Sequence, residues 1–296
     1  MRKLFILILL ILSCAAGLRA QTMPFSPFDA ERIDVGTLYI YEYSRNEEQF
    51  KPRTKEYFYL KTLNEIEQIS SAVEDTTADW IETSKLNWNY MMLAERKWIS
   101  LTDEEDLNVG AGIRGGGKID FAKKIFSQSG KQKEKEGIRE WSFVNKLKSL
   151  PTYFYQSTGL MPLWFALRFY PLDKTEITLN SNANGYNIKF KIKYIGKEEV
   201  RVPYGNVPCH KFELVLKMSY WMKLFYKPKQ AFFWLSSKDS TRYMVQYRND
   251  NEQNSFNRSI EYRLAERRKM TLAEWNELKE EKGVDVRKVE EHFSAK

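Results

Sequence analysis

The clearest pattern in the chain is a two-residue alternation in its second half. Tyr186, Ile188, Phe190, Ile192 and Tyr194 alternate with Asn187, Lys189, Lys191 and Lys193, which predicts a strand with one apolar face and one wet, basic face. His210, Phe212, Leu214, Leu216 and Met218 alternate in the same way with Lys211, Glu213 and Lys217. The runs 231–236 and 241–248 flank Ser237-Lys238-Asp239-Ser240, a hairpin turn, and Ile260, Tyr262 and Leu264 predict one more strand. Nearer the start, Thr37-Leu38-Tyr39-Ile40-Tyr41-Glu42-Tyr43 and Tyr57-Phe58-Tyr59-Leu60-Lys61-Thr62 are rich in β-branched and aromatic residues. Residues 66–101 continue in short segments without a 3.6-residue stripe, as expected of an antiparallel meander.

Two stretches break the alternation. Residues 102–137 hold an acidic run at 103–106, glycine-rich 110–117 and five lysines within 123–136, and they predict an exposed, mobile loop or hairpin tip. Residues 139–170 are densely apolar and aromatic, and spacings of three and four around 160–169 predict short helices. The tail has a different grammar. Thr271-Leu272-Ala273-Glu274 is a capping box, Leu272, Trp275 and Leu278 form a stripe, and Gly283 stops the helix. Asp285 can cap a second helix carrying Val286, Val289 and Phe293. The fold class is therefore mainly β: a large curved antiparallel sheet or half-open barrel with short helices and a helical C-terminal tail. The β domain covers 21–265 and the tail 266–296.

The first twenty residues stand apart. Arg2 and Lys3 precede nine apolar residues, 4–12, and small residues lead to Ala20. That is the order of a secretory signal peptide, too short to span a bilayer, which takes about 20 apolar residues. Cleavage would leave Gln21 first. A rival reading takes Ser13-Cys14 as a weak lipobox with Cys14 lipidated. Losing 1–20 removes Arg2, Lys3 and Arg19 and no acid, so the net charge of +8 falls to +5. Nucleic-acid binding requires clustered cations rather than a small surplus. Only Cys209 then remains of two cysteines, so no internal disulfide forms, and no later apolar run is long enough for a transmembrane helix.

Candidate chemistry is sparse. Gly112-Ile113-Arg114-Gly115-Gly116-Gly117-Lys118 has the phosphate-cradling spacing G-x-x-x-x-G-K, but Ile119 replaces the magnesium-holding Ser or Thr, and the acidic stretch before it is no buried strand. It reads as a flexible loop that binds no nucleotide. Cys209 and His210 are neighbours on a strand and face opposite ways, so they cannot act as nucleophile and base. With the second histidine, His292, far along the chain, metal binding has a poor ligand set. Spacing picks no catalytic pair from the 39 acids. Lys189, Lys191 and Lys193 could face an acidic glycan or lipid headgroup, or be the solvated face of a half-buried strand. An aromatic content of 15% suits a packed concave core or an open apolar ligand site equally.

Three stretches carry a resemblance. Leu167-Arg168-Phe169-Tyr170-Pro171-Leu172 ends a helical segment with Arg and a Pro-Leu pair. Val202-Pro203-Tyr204-Gly205 is a turn leading through Pro208-Cys209-His210 into a strand. Phe233-Trp234-Leu235-Ser236 opens a hairpin with Asp239 nearby. In their order and spacing they resemble an uncharacterised exported bacterial family, domain of unknown function 3108, mainly over 150–250. The resemblance implies a strongly curved antiparallel sheet similar to the half-open barrels of periplasmic lipoprotein carriers; the family has no established catalytic residues, so none carries over, and no cofactor is expected. The expectation is a protein of the periplasm or outer-membrane periphery of a Gram-negative bacterium. It would be non-enzymatic and bind a lipid or other apolar or amphipathic ligand in the concavity, lined by Phe190, Phe212, Leu214 and Trp234. Alternatives are a structural or interaction module with a filled core, and an envelope glycan hydrolase.

Overall fold

A computed structural model describes residues 26–45, 54–72, 77–89, 92–102, 111–146, 152–154, 161–183, 186–217, 230–250 and 260–294. They form one sheet of fifteen strands in the order β8-β7-β6-β5-β4-β3-β2-β1-β15-β14-β13-β12-β11-β10-β9. Nearly every strand pairs with its neighbour in sequence, the meander that the alternation predicts. The exceptions are β1 (Thr37–Arg45) with β15 (Ile260–Lys269), which brings the first and last strands together, and β8 (Gly137–Lys146) with β9 (Thr152–Phe154), which do not pair; β9 instead runs parallel to β10 (Glu176–Ala183). The sheet stays open, with β8 and β9 as its edges. It curls until β9 approaches β5 (Met92–Ser100), which leaves β6 (Gly112–Asp120), β7 (Ile125–Glu134) and β8 beyond the curl.

The alternation sorts side chains onto two faces. Tyr39 and Tyr41 of β1, Phe58 and Leu60 of β2 (Thr54–Leu60) and Ile192, Phe212 and Leu214 of β11 (Tyr186–Val202) and β12 (Gly205–Leu216) point inward. The inside is occupied by helix α1 (Met161–Leu167), in which Leu163, Trp164, Phe165, Ala166 and Leu167 are all buried. Trp164 lies 4.8 Å from the ring of Phe58 and 5.1 Å from that of Tyr41. Leu38, Ile40, Tyr57, Tyr59, Ile69 and Ile81 point outward and would be wet, but α2 (Leu272–Glu281) and α3 (Val286–Ser294) cover them. The capping box at Thr271 forms as predicted. The tail is thus half of the second core: Trp275 is wholly buried, stacks on Tyr59 at 5.2 Å and donates Nε1–H to Glu67 at 2.7 Å.

The stretch 102–137, expected as a mobile loop, is where sequence and structure part. Residues 112–134 form β6 and β7, in register with β5 and β8. The glycines are there because aromatic rings lie flat across the strands. A Cβ on Gly115 would sit 2.8 Å from the Trp98 ring and one on Gly130 would sit 2.7 Å from the Trp141 ring. Such close approach of a ring to backbone excludes any side chain. The apolar stretch that begins at 139 likewise opens as a strand, β8, and among its described residues holds helix α1.

Candidate functional site

Phe212 and Leu214 sit on the concave face as expected and are buried there. Phe212 packs against the rings of Tyr170 at 5.0 Å and Tyr194 at 5.5 Å, so it presents its surface to the protein's own core. Phe190 is on the same face and only partly buried. Trp234 is placed differently. Its neighbour Phe233 faces Phe212, which turns Trp234 of β13 (Gln230–Ser236) to the outer side opposite Lys211. There the β11–β12 hairpin folds across the sheet. Tyr204 N–H donates to the Leu264 carbonyl at 3.1 Å, and the Trp234 Nε1–H donates to Glu198. Phe190, Phe212 and Leu214 thus share one strand face and Trp234 takes the other, while all four belong to or pack against one apolar cluster.

The interior also holds charges. Asp34 accepts from Arg168 at 2.8 Å and Arg267 at 3.0 Å, and from the Tyr39 hydroxyl. Burial pushes its carboxyl up, but the Arg168 charge and these three hydrogen bonds outweigh it and hold the group down at about 2. Arg267 reaches on to Asp239 at 3.4 Å. The network therefore joins Arg168 and Asp239, from two of the motif stretches, to the chain entering β1 and to β15. Further along the inner face, Glu82 pairs with Arg96 at 2.5 Å. Glu56 has only neutral donors, Gln68 at 2.8 Å and Ser70 at 3.1 Å, and burial pushes its carboxyl up to about 7. These groups tie strands together.

His210 and Cys209 do point to opposite faces. His210 accepts or donates at Nδ1 with the Tyr194 hydroxyl at 3.1 Å. Burial, with the nearby charges of Arg242 and Lys197, lowers it to about 4 and keeps the ring neutral. Burial raises the Cys209 thiol to about 12, far from a reactive thiolate. No cluster of three potential metal ligands occurs among the described residues. Two of the three stripe lysines have carboxylate partners, Lys191 with Glu176 at 2.6 Å and Lys193 with Glu213 at 3.3 Å. The stripe is largely a neutralised outer face.

Two depressions lie on the outer face of β3 (Glu65–Ala72) to β8. One depression of about 180 Å³ runs beside α2 and α3 and includes Lys61, Glu67, Lys85 and Lys279. A larger one of about 450 Å³ follows over β5 to β8, and Lys97 lines both. Its floor is built by register: Gly116, Ser129 and Ser142 lie abreast on β6, β7 and β8, next to Lys97. Arg114, Lys131 and Glu140 form the next row. Lys131 holds Glu140 at 2.5 Å, and that bond with the lysine charge keeps the Glu140 carboxyl below its usual range. Small floor residues give the groove its depth, and Lys97, Arg114 and Lys131 line it with the one carboxylate of Glu140, Lys97 also lying 4.0 Å from Glu95. Serine hydroxyls and cations together suit a ligand with many hydroxyls and several negative charges. Sequence reading missed this site because its residues are scattered over 97–142 and only the strand register sets them side by side.

No family profile matches the sequence, and no curated protein matches it. Among solved structures, similar folds include the hypothetical lipoprotein YmcC from Escherichia coli K12, 9% identical over 80% of this chain and 86% of that one, with a TM-score of 0.23. A protein from Bacteroides fragilis, described as exported and of YmcC-like fold, is 7% identical over 84% of this chain and 100% of its own, with a TM-score of 0.25. A protein described as a lipoprotein from Parabacteroides distasonis is 10% identical over the same shares, with a TM-score of 0.28. Overlays this loose transfer no site residue and no activity.

Proposed function

We propose that the chain is an exported, non-enzymatic protein of the cell envelope that binds an acidic glycan along the outer face of its sheet. The observation that carries this reading is the groove floored by Gly116, Ser129 and Ser142 and walled by Lys97, Arg114 and Lys131. Export rests on the signal-peptide order of residues 1–20, which lie outside the described residues; the same reading places the mature start at Gln21. A lipid in the concavity is the competing reading, and the side chains of α1 that occupy that space weigh against it. The test is calorimetric titration of the mature chain with a carboxylated polysaccharide such as alginate and with neutral dextran. Alginate should bind, weaken steeply between low and physiological salt, and lose affinity in Arg114→Ala and Lys131→Ala. Equal binding of dextran, or lipid in organic extracts of exported protein with no alginate binding, would overturn the proposal. Intact mass of that exported protein checks the start at Gln21, which a diacylglyceryl adduct on Cys14 would contradict.

A further inference from the structure

The groove ends at β8, and β8 ends the sheet. Strand β8 pairs with β7 from Ile125↔Lys146 to Glu134↔Gly137 without a register shift. Its other edge meets no strand among the described residues. Native edges are usually blunted by proline, a bulge or inward-pointing charge, and β8 has neither proline nor bulge, its one inward charge being Arg139. Its outward side chains include Ile138, 47% exposed, and Val144, 68% exposed, the most exposed large apolar side chain among the described residues. The two lie on the same face and are each three residues from Trp141.

We propose that β8 pairs antiparallel with β8 of a second copy of this chain, about a two-fold axis at Trp141. The occupant follows from the symmetry of the strand itself. In a continuous sheet directly opposed residues share a face, so the axis falls on a residue and each choice fixes all the pairs. An axis at Arg139 or Glu140 sets like charges against each other. One at Ser142 sets Ile138 against Lys146 and Val144 against Glu140. An axis at Trp141 sets Ile138 against Val144 twice, Arg139 against the Phe143 ring twice and Glu140 against Ser142 twice. Every exposed apolar side chain on the strand then finds an apolar partner, and no like charges meet. Such an isologous contact closes on itself and leaves no further edge at β8. It also joins the two outer grooves, because Glu140 and Ser142 line each groove and would meet across the axis. The pairing does not depend on what the groove binds.

Sedimentation equilibrium of the mature chain tests it. A concentration-dependent dimer is expected, and Val144→Asp and Ile138→Asp should each raise its dissociation constant at least tenfold with an unchanged thermal melt. Because a charge on a strand could disturb folding, a second arm uses the exposed positions as cross-linking sites. The double variant Ile138→Cys with Val144→Cys should give a disulfide-linked dimer on mild oxidation. The single variant Val144→Cys should not, since the two copies of residue 144 would lie about 20 Å apart. A monomer at all concentrations with no cross-link overturns the proposal, and so does a dimer that neither aspartate weakens and the double variant does not cross-link.

Discussion

Glu56 and Asp34 are both buried carboxylates on the inner face, and they act on stability in opposite directions. Glu56 has neutral partners, so burial raises it from 4.5 to about 7. The folded state then holds the proton more tightly than the unfolded chain, and stability falls as pH rises from 4.5 through 7. Glu56→Gln should remove that slope and stabilise the protein at pH 8 by up to about 3 kcal/mol, measured by urea unfolding across pH. Asp34 faces two arginines and lies at about 2. Its contribution is present above 3.8 and is lost as pH falls through 2. Arg168→Met takes away one of its two arginines and leaves Arg267 and the Tyr39 hydroxyl, so it should cost about 1.5–3 kcal/mol at pH 7. Arg168 and Asp239 could be read in the motifs, but their meeting at Asp34 could not. Their separation in the chain hides the network, and the turn chemistry of Asp239 offers a local explanation that conceals its bond to Arg267.

Strand β6 shows how one element can mislead. Its glycines look like loop punctuation because the local code for a turn is glycine. In the folded sheet Gly112 and Gly115 are the surface on which Trp98 rests, as Gly130 is for Trp141. Gly115→Ala and Gly130→Ala should each cost about 1–3 kcal/mol in urea melts, because the added methyl collides with ring and backbone. Lys118→Ala, exposed on the same strand, should change stability by less than ~0.5 kcal/mol. Strands β12 and β13 carry a second contrast. Phe212→Ala should cost about 3–5 kcal/mol, because a fully packed ring leaves a cavity. Trp234→Ala should be similarly severe, since the folded-over hairpin closes on it, whereas partly buried Phe190→Ala should cost less. The helices α2 and α3 were legible from capping and stripe. That the stripe is anchored by Trp275 to Glu67 was not, because Glu67 reads as an ordinary solvent-facing acid on a strand.

Across the whole molecule the two cores differ in what holds them. The inner core is closed by the curl and by α1, while the outer core depends on the tail. Deleting residues 271–296 should expose Leu38, Ile40, Tyr57, Ile69 and Ile81, and the truncated chain should bind a hydrophobic dye and aggregate on mild heating. Hydrogen exchange should rank the strands accordingly: slowest in β1, β2 and β15, covered on both faces or central, and fastest in β8, whose residues alternate between exposed and half-exposed. The sequence by itself determined the strands of the alternating stretches, with Phe190, Phe212 and Leu214 inward, and the tail helices, but not β6, β7, β8 or the outward turn of Trp234, because alternation, capping and stripe are short-range signals written in neighbouring residues. It also determined that Cys209 and His210 face apart. Tertiary structure alone decided the rest. Joining β1 to β15, seating α1 inside the curl and laying tryptophans over glycines depend on which strands meet and in what register. Those choices arise from burying both sheet faces at once, and they bring Lys97, Arg114, Lys131, Ser129 and Ser142 to one groove from positions that no local pattern connects.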